Sequence, residues 1–178
     1  MKFGLLRRIF GTVLGGPMDY DQILPQLFVG SRPRIVGEID ELVHEAGITA
    51  VLNLQTDEDM SWYDIDWQNL EAHYLKTEIE VVRFPVRDFD PEDLREKLPE
   101  CVHKLKELLE AGRTVYLHCT AGVNRSPTVA AAYLHRCRGW GVEKAIAYVK
   151  ERRNCSPEMD AIRLAAWGDA DTSPHQSN

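Results

Sequence analysis

Apolar residues recur along this chain at two spacings, and the alternation between them predicts an ordered series of elements. Ile23–Val29 is a short β-type run that stops at Gly30. From Ile35 to Ala46 the spacing turns helical (Ile35, Val36, Ile39, Leu42, Val43, Ala46), and Gly47 follows as a C-terminal cap. Ile48–Leu54 is continuously apolar and β-rich, as suits a strand covered on both faces. A helix over Asp64–Leu75 and a strand over Val81–Val86 come next. Pro91–Leu109 carries the longest stripe (Leu94, Leu98, Val102, Leu105, Leu108, Leu109), with Gly112 beyond its end. Thr114–His118 is a second buried-strand candidate, and Ser126–Arg138, Val142–Arg152 and Pro157–Trp167 complete the chain as three helices. Strands alternating with helices predict a single α/β domain over 19–168, with a mostly parallel central sheet flanked by helices.

Outside that span the pattern changes. In residues 1–18 an apolar stripe (Leu5, Leu6, Ile9, Phe10, Val13, Leu14) runs beside Lys2, Arg7 and Arg8, with no acidic residue before Asp19. A basic amphipathic helix of this kind suits the surface of an anionic membrane, so peripheral contact through residues 1–16 is one expectation; packing on the domain is the other. Arg7-Arg8 and Gly11 break the run as a signal peptide. Residues 169–178 read as a flexible polar tail.

Composition narrows the classes of function. Lys+Arg 21 against Asp+Glu 28 leaves a net charge of −7, which argues against a broad nucleic-acid surface. At 178 residues, 44% hydrophobic and 28% charged, the chain suffices for one globular core and is expected to act as a monomer. Four scattered cysteines (Cys101, Cys119, Cys137, Cys155) do not form a disulfide framework, which implies a reducing, cytoplasmic setting. With no CxxC or HxxxH pair, neither a metal nor another cofactor is expected.

The chemistry concentrates at one place. The strand TVYLH runs into Cys119-Thr120-Ala121-Gly122-Val123-Asn124-Arg125, and Ser126-Pro127 then opens a helix. A loop in that setting can curl until its backbone N–H groups converge on one point. Gly122 supplies the conformational freedom, and Pro127 fits the first helical turn. Amides and helix terminus together cradle an anion, and Arg125 at the rim can grip phosphate oxygens in pairs. The same surroundings make Cys119 a candidate nucleophile. His118 is expected to bond backbone and shape the loop, and Ser126 to donate to the sulfur.

HCTAGVNRSPT resembles the active-site loop of the cysteine-dependent protein tyrosine phosphatase superfamily, in its dual-specificity branch. The resemblance implies that fold, a phosphocysteine intermediate on Cys119, phosphate held by Thr120, Ala121, Gly122, Val123, Asn124 and Arg125, and a general acid about thirty residues upstream. Within PVRDFD that acid is Asp88, with Asp90 as the rival; Asp90 also suits the start of the helix at Pro91. The segments YDQILPQLFVGS, AVLNLQTDED, RDFDPEDLREKLP and RRNCSPEMDAIRLA are similar to the glucan phosphatases, the group of the plant starch phosphatases and laforin. That likeness implies a platform of Trp62, Tyr63 and Phe89 for sugar rings, whose apolar C–H faces stack on aromatic surfaces; Trp67 is expected in the packing instead.

Two departures leave the substrate open. Asn124 stands where the family usually has Gly, and Arg32 and Arg34 fall near the expected site, which would suit a more anionic ester. A phosphorylated carbohydrate is the first expectation. An inositol phosphate or phospholipid headgroup is the second, and phosphotyrosine or phosphoserine in protein the third.

Overall fold

The computed structural model describes residues 18–168. The N-terminal stripe and the polar tail lie outside the described residues. Where one strand was expected over Ile23–Val29, two form an antiparallel hairpin, β1 (Tyr20–Leu24) and β2 (Leu27–Gly30). Pro25-Gln26 makes the turn, with Leu24 opposite Leu27. So short a turn leaves no gap in the apolar pattern, and Pro25, which cannot donate to a ladder, was its one signal.

The helix α1 (Val36–Ala46) ends as its pattern dictates: Gly47 takes φ 64° and its N–H closes on the Val43 carbonyl at 3.1 Å. After β3 (Ala50–Asn53) comes a helix the pattern did not announce, α2 (Asp57–Trp62), and the helix expected over Asp64–Leu75 forms as α3 (Trp67–Lys76), three residues later at its start. Asp64 lies at φ 55°, turning the chain, and Asp66 caps α3 by accepting from the Asn69 N–H at 3.1 Å. The short α2 buries a single apolar residue, Met60, and so has no periodicity to read. The next strand, β4 (Glu80–Arg83), stops short of Val86. The extended backbone beyond it stays attached through Phe84 N–H to Asn53 O (2.9 Å) and Val86 N–H to Leu54 O (3.0 Å). Thereafter come α4 (Pro91–Glu110), β5 (Val115–His118), α5 (Arg125–Arg138), α6 (Val142–Arg152) and α7 (Met159–Leu164).

The sheet order is β1-β2-β5-β3-β4, parallel except for β1. This is the mostly parallel α/β domain the pattern predicted. Every residue of β3 and β5 is buried, because helices cover both faces. On one face α4, α5, α6 and α7 pack over Leu52, Val115 and Leu117; on the other α1 and α3 cover Val51 and Tyr116. Gly30, His118 and Asn53 end three neighbouring parallel strands at one level. The loops that follow therefore meet at a single edge, where the strand order reverses and open α/β sheets place their ligands.

Candidate active site

The loop after β5 is held entirely from outside. His118 Nδ1–H donates to the Cys119 carbonyl at 3.1 Å. Arg32 gives both its backbone N–H and Nη1 to Thr120 O, each at 3.1 Å. Arg153 gives Nη2 to Ala121 O (3.3 Å) and Nε to Gly122 O (2.6 Å). Ser156 N–H takes Val123 O at 2.7 Å, and Thr128 takes Asn124 O through N–H (3.0 Å) and Oγ1 (2.8 Å). In a trans peptide the C=O and the following N–H point in opposite directions. Six carbonyls tied outward thus turn the N–H groups of residues 120–125 inward, toward the start of α5, where an anion gains from both amides and dipole. Gly122 takes φ 65°, and a side chain there would run into the Gly30 backbone and the Arg153 guanidinium. Only glycine fits.

Cys119 lies inside this ring, buried, with Ser126 Oγ–H donating to its sulfur at 3.3 Å. Arg125 is 1% exposed; both of its terminal nitrogens are engaged, while its buried Nε has no partner among the described residues. Its Nη1 donates to Asp59 Oδ2 and to the Val86 carbonyl, both at 2.7 Å, and its Nη2 to Thr120 Oγ1 at 3.0 Å. Asp88 Oδ2 stands 2.8 Å from the same Nη2. Burial works to lower the Arg125 pKa, but Cys119, Asp59 and Asp88 outweigh it and raise it, so the guanidinium keeps its charge. Asp59 does double duty. It closes a capping box with Thr56 at the start of α2, accepting from Thr56 N–H at 2.9 Å, and it orients Arg125. Desolvation would raise its pKa, yet Arg125 and Thr56 hold it below the usual carboxylate range.

The segment before α4 presents Asp88. Arg87 N–H is fixed by Asp93 Oδ2 at 2.7 Å, and Phe89 sits at φ 56°. Asp90 is taken up elsewhere: Oδ1 caps α4 through Asp93 N–H (2.9 Å), and Oδ2 pairs with Arg87 at 3.3 Å.

His118 is fully buried under the loop. Burial first, then the charges of Arg125 and Arg32, pull its pKa from the ordinary 6.5 to about 4, against the opposing hydrogen bond to Cys119 O. Its Nδ1–H faces a carbonyl and the ring stays neutral at working pH, which suits a structural spacer. Below pH 6.5 the unfolded chain takes up a proton that the folded protein refuses, so stability rises with pH through this window. Acidifying from 6.5 to 4 removes up to about 3 kcal/mol at about 1.4 kcal/mol per pH unit. We expect the urea midpoint of the wild type to fall across this window, and His118→Asn, which keeps an N–H for Cys119 O, to flatten the fall. An unchanged slope would assign the acid sensitivity to other groups.

The remaining residues singled out in the sequence divide by exposure. Trp62, at the end of α2, is 84% exposed and Phe89 is 98% exposed. Tyr63 lies under the Arg32 guanidinium, 3.9 Å from its ring centre. Arg32 is buried beneath the loop rather than offered to a ligand. Trp67 packs at 6.3 Å on Tyr74. Asn124 keeps φ −118°, so it needs no left-handed tolerance; its amide turns to Ser156 O (3.1 Å) and Glu158 Oε1 (2.8 Å). The sequence did not reveal Asp59 or Arg153. The Thr56–Asp59 spacing of a capping box was the available signal for the first; the second had none. Among the described residues, no helix is long and apolar enough to cross a membrane, and no cluster of His, Cys, Asp and Glu is arranged to hold a metal ion.

An anion cradle with a buried cysteine at one end and a buried arginine at the other is the arrangement that cysteine-dependent phosphatase chemistry calls for. Residues 27–165 match the family model of the dual specificity phosphatase catalytic domain, and the chain belongs to that family. It is 36% identical over 150 residues to the chloroplastic phosphoglucan phosphatase LSF1 of Arabidopsis thaliana, covering 84% of this chain and 25% of that protein. It is 33% identical over 146 residues to laforin of Mus musculus, covering 76% of this chain and 44% of that protein. The chain thus spans less than half the length of these curated relatives. The crystal structure of PTPMT1 shares the fold, with a TM-score of 0.66 and 22% identity over 82% of this chain and 90% of that one.

Proposed function

We propose that the chain removes phosphate from a carbohydrate of the glucan type, through a phosphocysteine intermediate. The Cys119 thiolate attacks phosphorus while the ester P–O bond breaks, and Asp88 as the acid gives its proton to the departing oxygen. Asp88, now a carboxylate, takes a proton from water, which attacks phosphorus; the S–P bond breaks, and the Ser126 hydroxyl stabilises the returning thiolate. Amides 120–125 and Arg125 hold the phosphoryl oxygens throughout.

One observation carries the substrate class. Phe89 is exposed beside the general-acid position in a left-handed conformation that costs a non-glycine residue about 1 kcal/mol or more. Nothing in the packing repays that strain, whereas a sugar ring stacked on the aromatic face would. Trp62 offers a second exposed surface one helical turn beyond Asp59. The likeness to phosphoglucan phosphatases and laforin supports the same reading. An inositol or lipid phosphate drew on Arg32, which is occupied beneath the loop, on Arg34, which pairs with Glu38 at 3.1 Å, and on the N-terminal stripe, which lies outside the described residues. A plastid setting is favoured over the cytoplasm by the chloroplastic relative. Phosphoglucan, inositol phosphates, phosphatidylglycerophosphate and phosphopeptides, compared at matched enzyme, test the assignment. Trp62→Ala and Phe89→Ala should each cut phosphoglucan release about tenfold, while a small aryl phosphate loses far less. Equal losses on both substrates would remove the platform.

A further inference from the structure

A cavity of about 280 Å³ opens beside the phosphate loop, on the side of the general acid. Phe89 and Leu94 line one part of it, Asn124 and Glu158 another, and Arg125 and Asp88 also border it. It is the space next to the phosphate that the body of the ester would enter.

Its charges are unevenly satisfied. Arg125 is matched by Asp59 and Asp88 at 2.7 and 2.8 Å. Arg87 is matched by Asp90 and Asp93 at 3.3 and 3.4 Å. Both guanidiniums lining the cavity thus arrive with carboxylate partners. Glu158 differs: among the described residues it has no cation, and its carboxylate instead accepts from the neutral Asn124 amide at 2.8 Å. Its backbone N–H is tied to Thr128 Oγ1 on α5 at 2.9 Å, and the Asn124 amide is also tied to Ser156 O at 3.1 Å. A carboxylate is therefore fixed in the wall of the cavity, half-buried, by a side chain that occupies the position just before Arg125.

We propose that Glu158, oriented by Asn124, is a specificity-determining residue that admits phosphomonoesters with an uncharged, hydroxyl-bearing body and rejects those carrying a second anionic group near the phosphate. This rests on the phosphatase reading of the site and narrows its substrate class. A hydroxyl can donate to the Glu158 carboxylate. A second phosphate or carboxylate meets a fixed like charge at short range, Arg125 is committed to the phosphate being transferred, and Arg87 already has Asp90 and Asp93 beside it. Neutral sugar phosphates are favoured on this ground over bisphosphorylated rings and over acidic phosphopeptides.

The test uses two aryl phosphates of the same size, one bearing a carboxamide and one a carboxylate at the same ring position. The wild type should prefer the carboxamide. Glu158→Gln, which still accepts from Asn124, should lower the ratio of kcat/KM values (carboxamide over carboxylate) about five- to tenfold, and Glu158→Lys should lower it further. Raising the ionic strength should shrink the wild-type ratio and leave that of Glu158→Gln nearly level. A ratio within twofold of wild type in both variants overturns the proposal. Phosphate release from phosphoglucan by the wild type is measured in parallel. If it fails while the ratio still responds to Glu158, the glucan assignment falls and the charge filter stands; if it succeeds while the ratio is unmoved, the reverse holds.

Discussion

Replacing Cys119 by Ser should lower turnover of an aryl phosphate by a factor on the order of 10⁴ or more, with the phosphate site left intact. The reason lies in how the loop is held. None of the hydrogen bonds to its six outward carbonyls uses the Cys119 side chain, and Arg125 keeps Asp59, Val86 O and Thr120 in the variant. Binding of vanadate or inorganic phosphate should therefore persist while chemistry is lost. Rapid-quench measurement should trap a phosphorylated wild-type enzyme and none in Cys119→Ser. The other three cysteines are buried, and burial pushes the thiols of Cys101 and Cys155 up, so neither is placed to substitute. A variant that kept its activity would refute the phosphocysteine route.

Asp88→Asn should cost about 10²- to 10⁴-fold in kcat, and the loss should depend on the leaving group. An alkoxide leaves poorly without a proton and should suffer the full penalty; an acidic phenol should suffer much less. If Asp88 is the acid, the wild-type rate should fall on the basic side of its pH profile, and the variant should lose that basic limb. Asp90→Asn should behave differently, because its carboxylate caps α4 and pairs with Arg87. The expected effect there is on stability, about 1 kcal/mol or less, since Asn still caps a helix. If Asp90→Asn erased the basic limb instead, the general acid would be Asp90.

How far the sequence foretold this arrangement depended on distance along the chain. The phosphate loop was legible because its nucleophile, glycine turn, arginine and helix start are contiguous in HCTAGVNRSPT. The sheet was legible because ITAVLNL and TVYLH are apolar without interruption, as strands covered on both faces must be. The β1–β2 hairpin was merged into one strand because its turn is two residues long and one of them is Pro. The helix α2 was missed because its stability comes from the Thr56–Asp59 box and from Arg125, 66 residues away, rather than from an apolar stripe. Arg32 looked available to a ligand because nothing local reveals that its guanidinium ends on Thr120 O, 88 residues on. Arg153 reaches loop carbonyls 31 and 32 residues back, a partnership with no local signature.

That last side chain also ties the loop to the other end of the domain. While Nε and Nη2 hold Gly122 and Ala121, Arg153 pairs with Asp19 at 3.2 Å and with Asp21 at 3.1 Å, residues more than 130 positions earlier. The grip needs β1 in place and α6 finished. On the ribosome, the chain through Ser126 can emerge with its motif complete and still lack the arginine that turns two of its carbonyls outward. The loop thus gains its full set of outward ties only after almost the whole domain has been made, so an unfinished chain would carry the motif without the shape that goes with it.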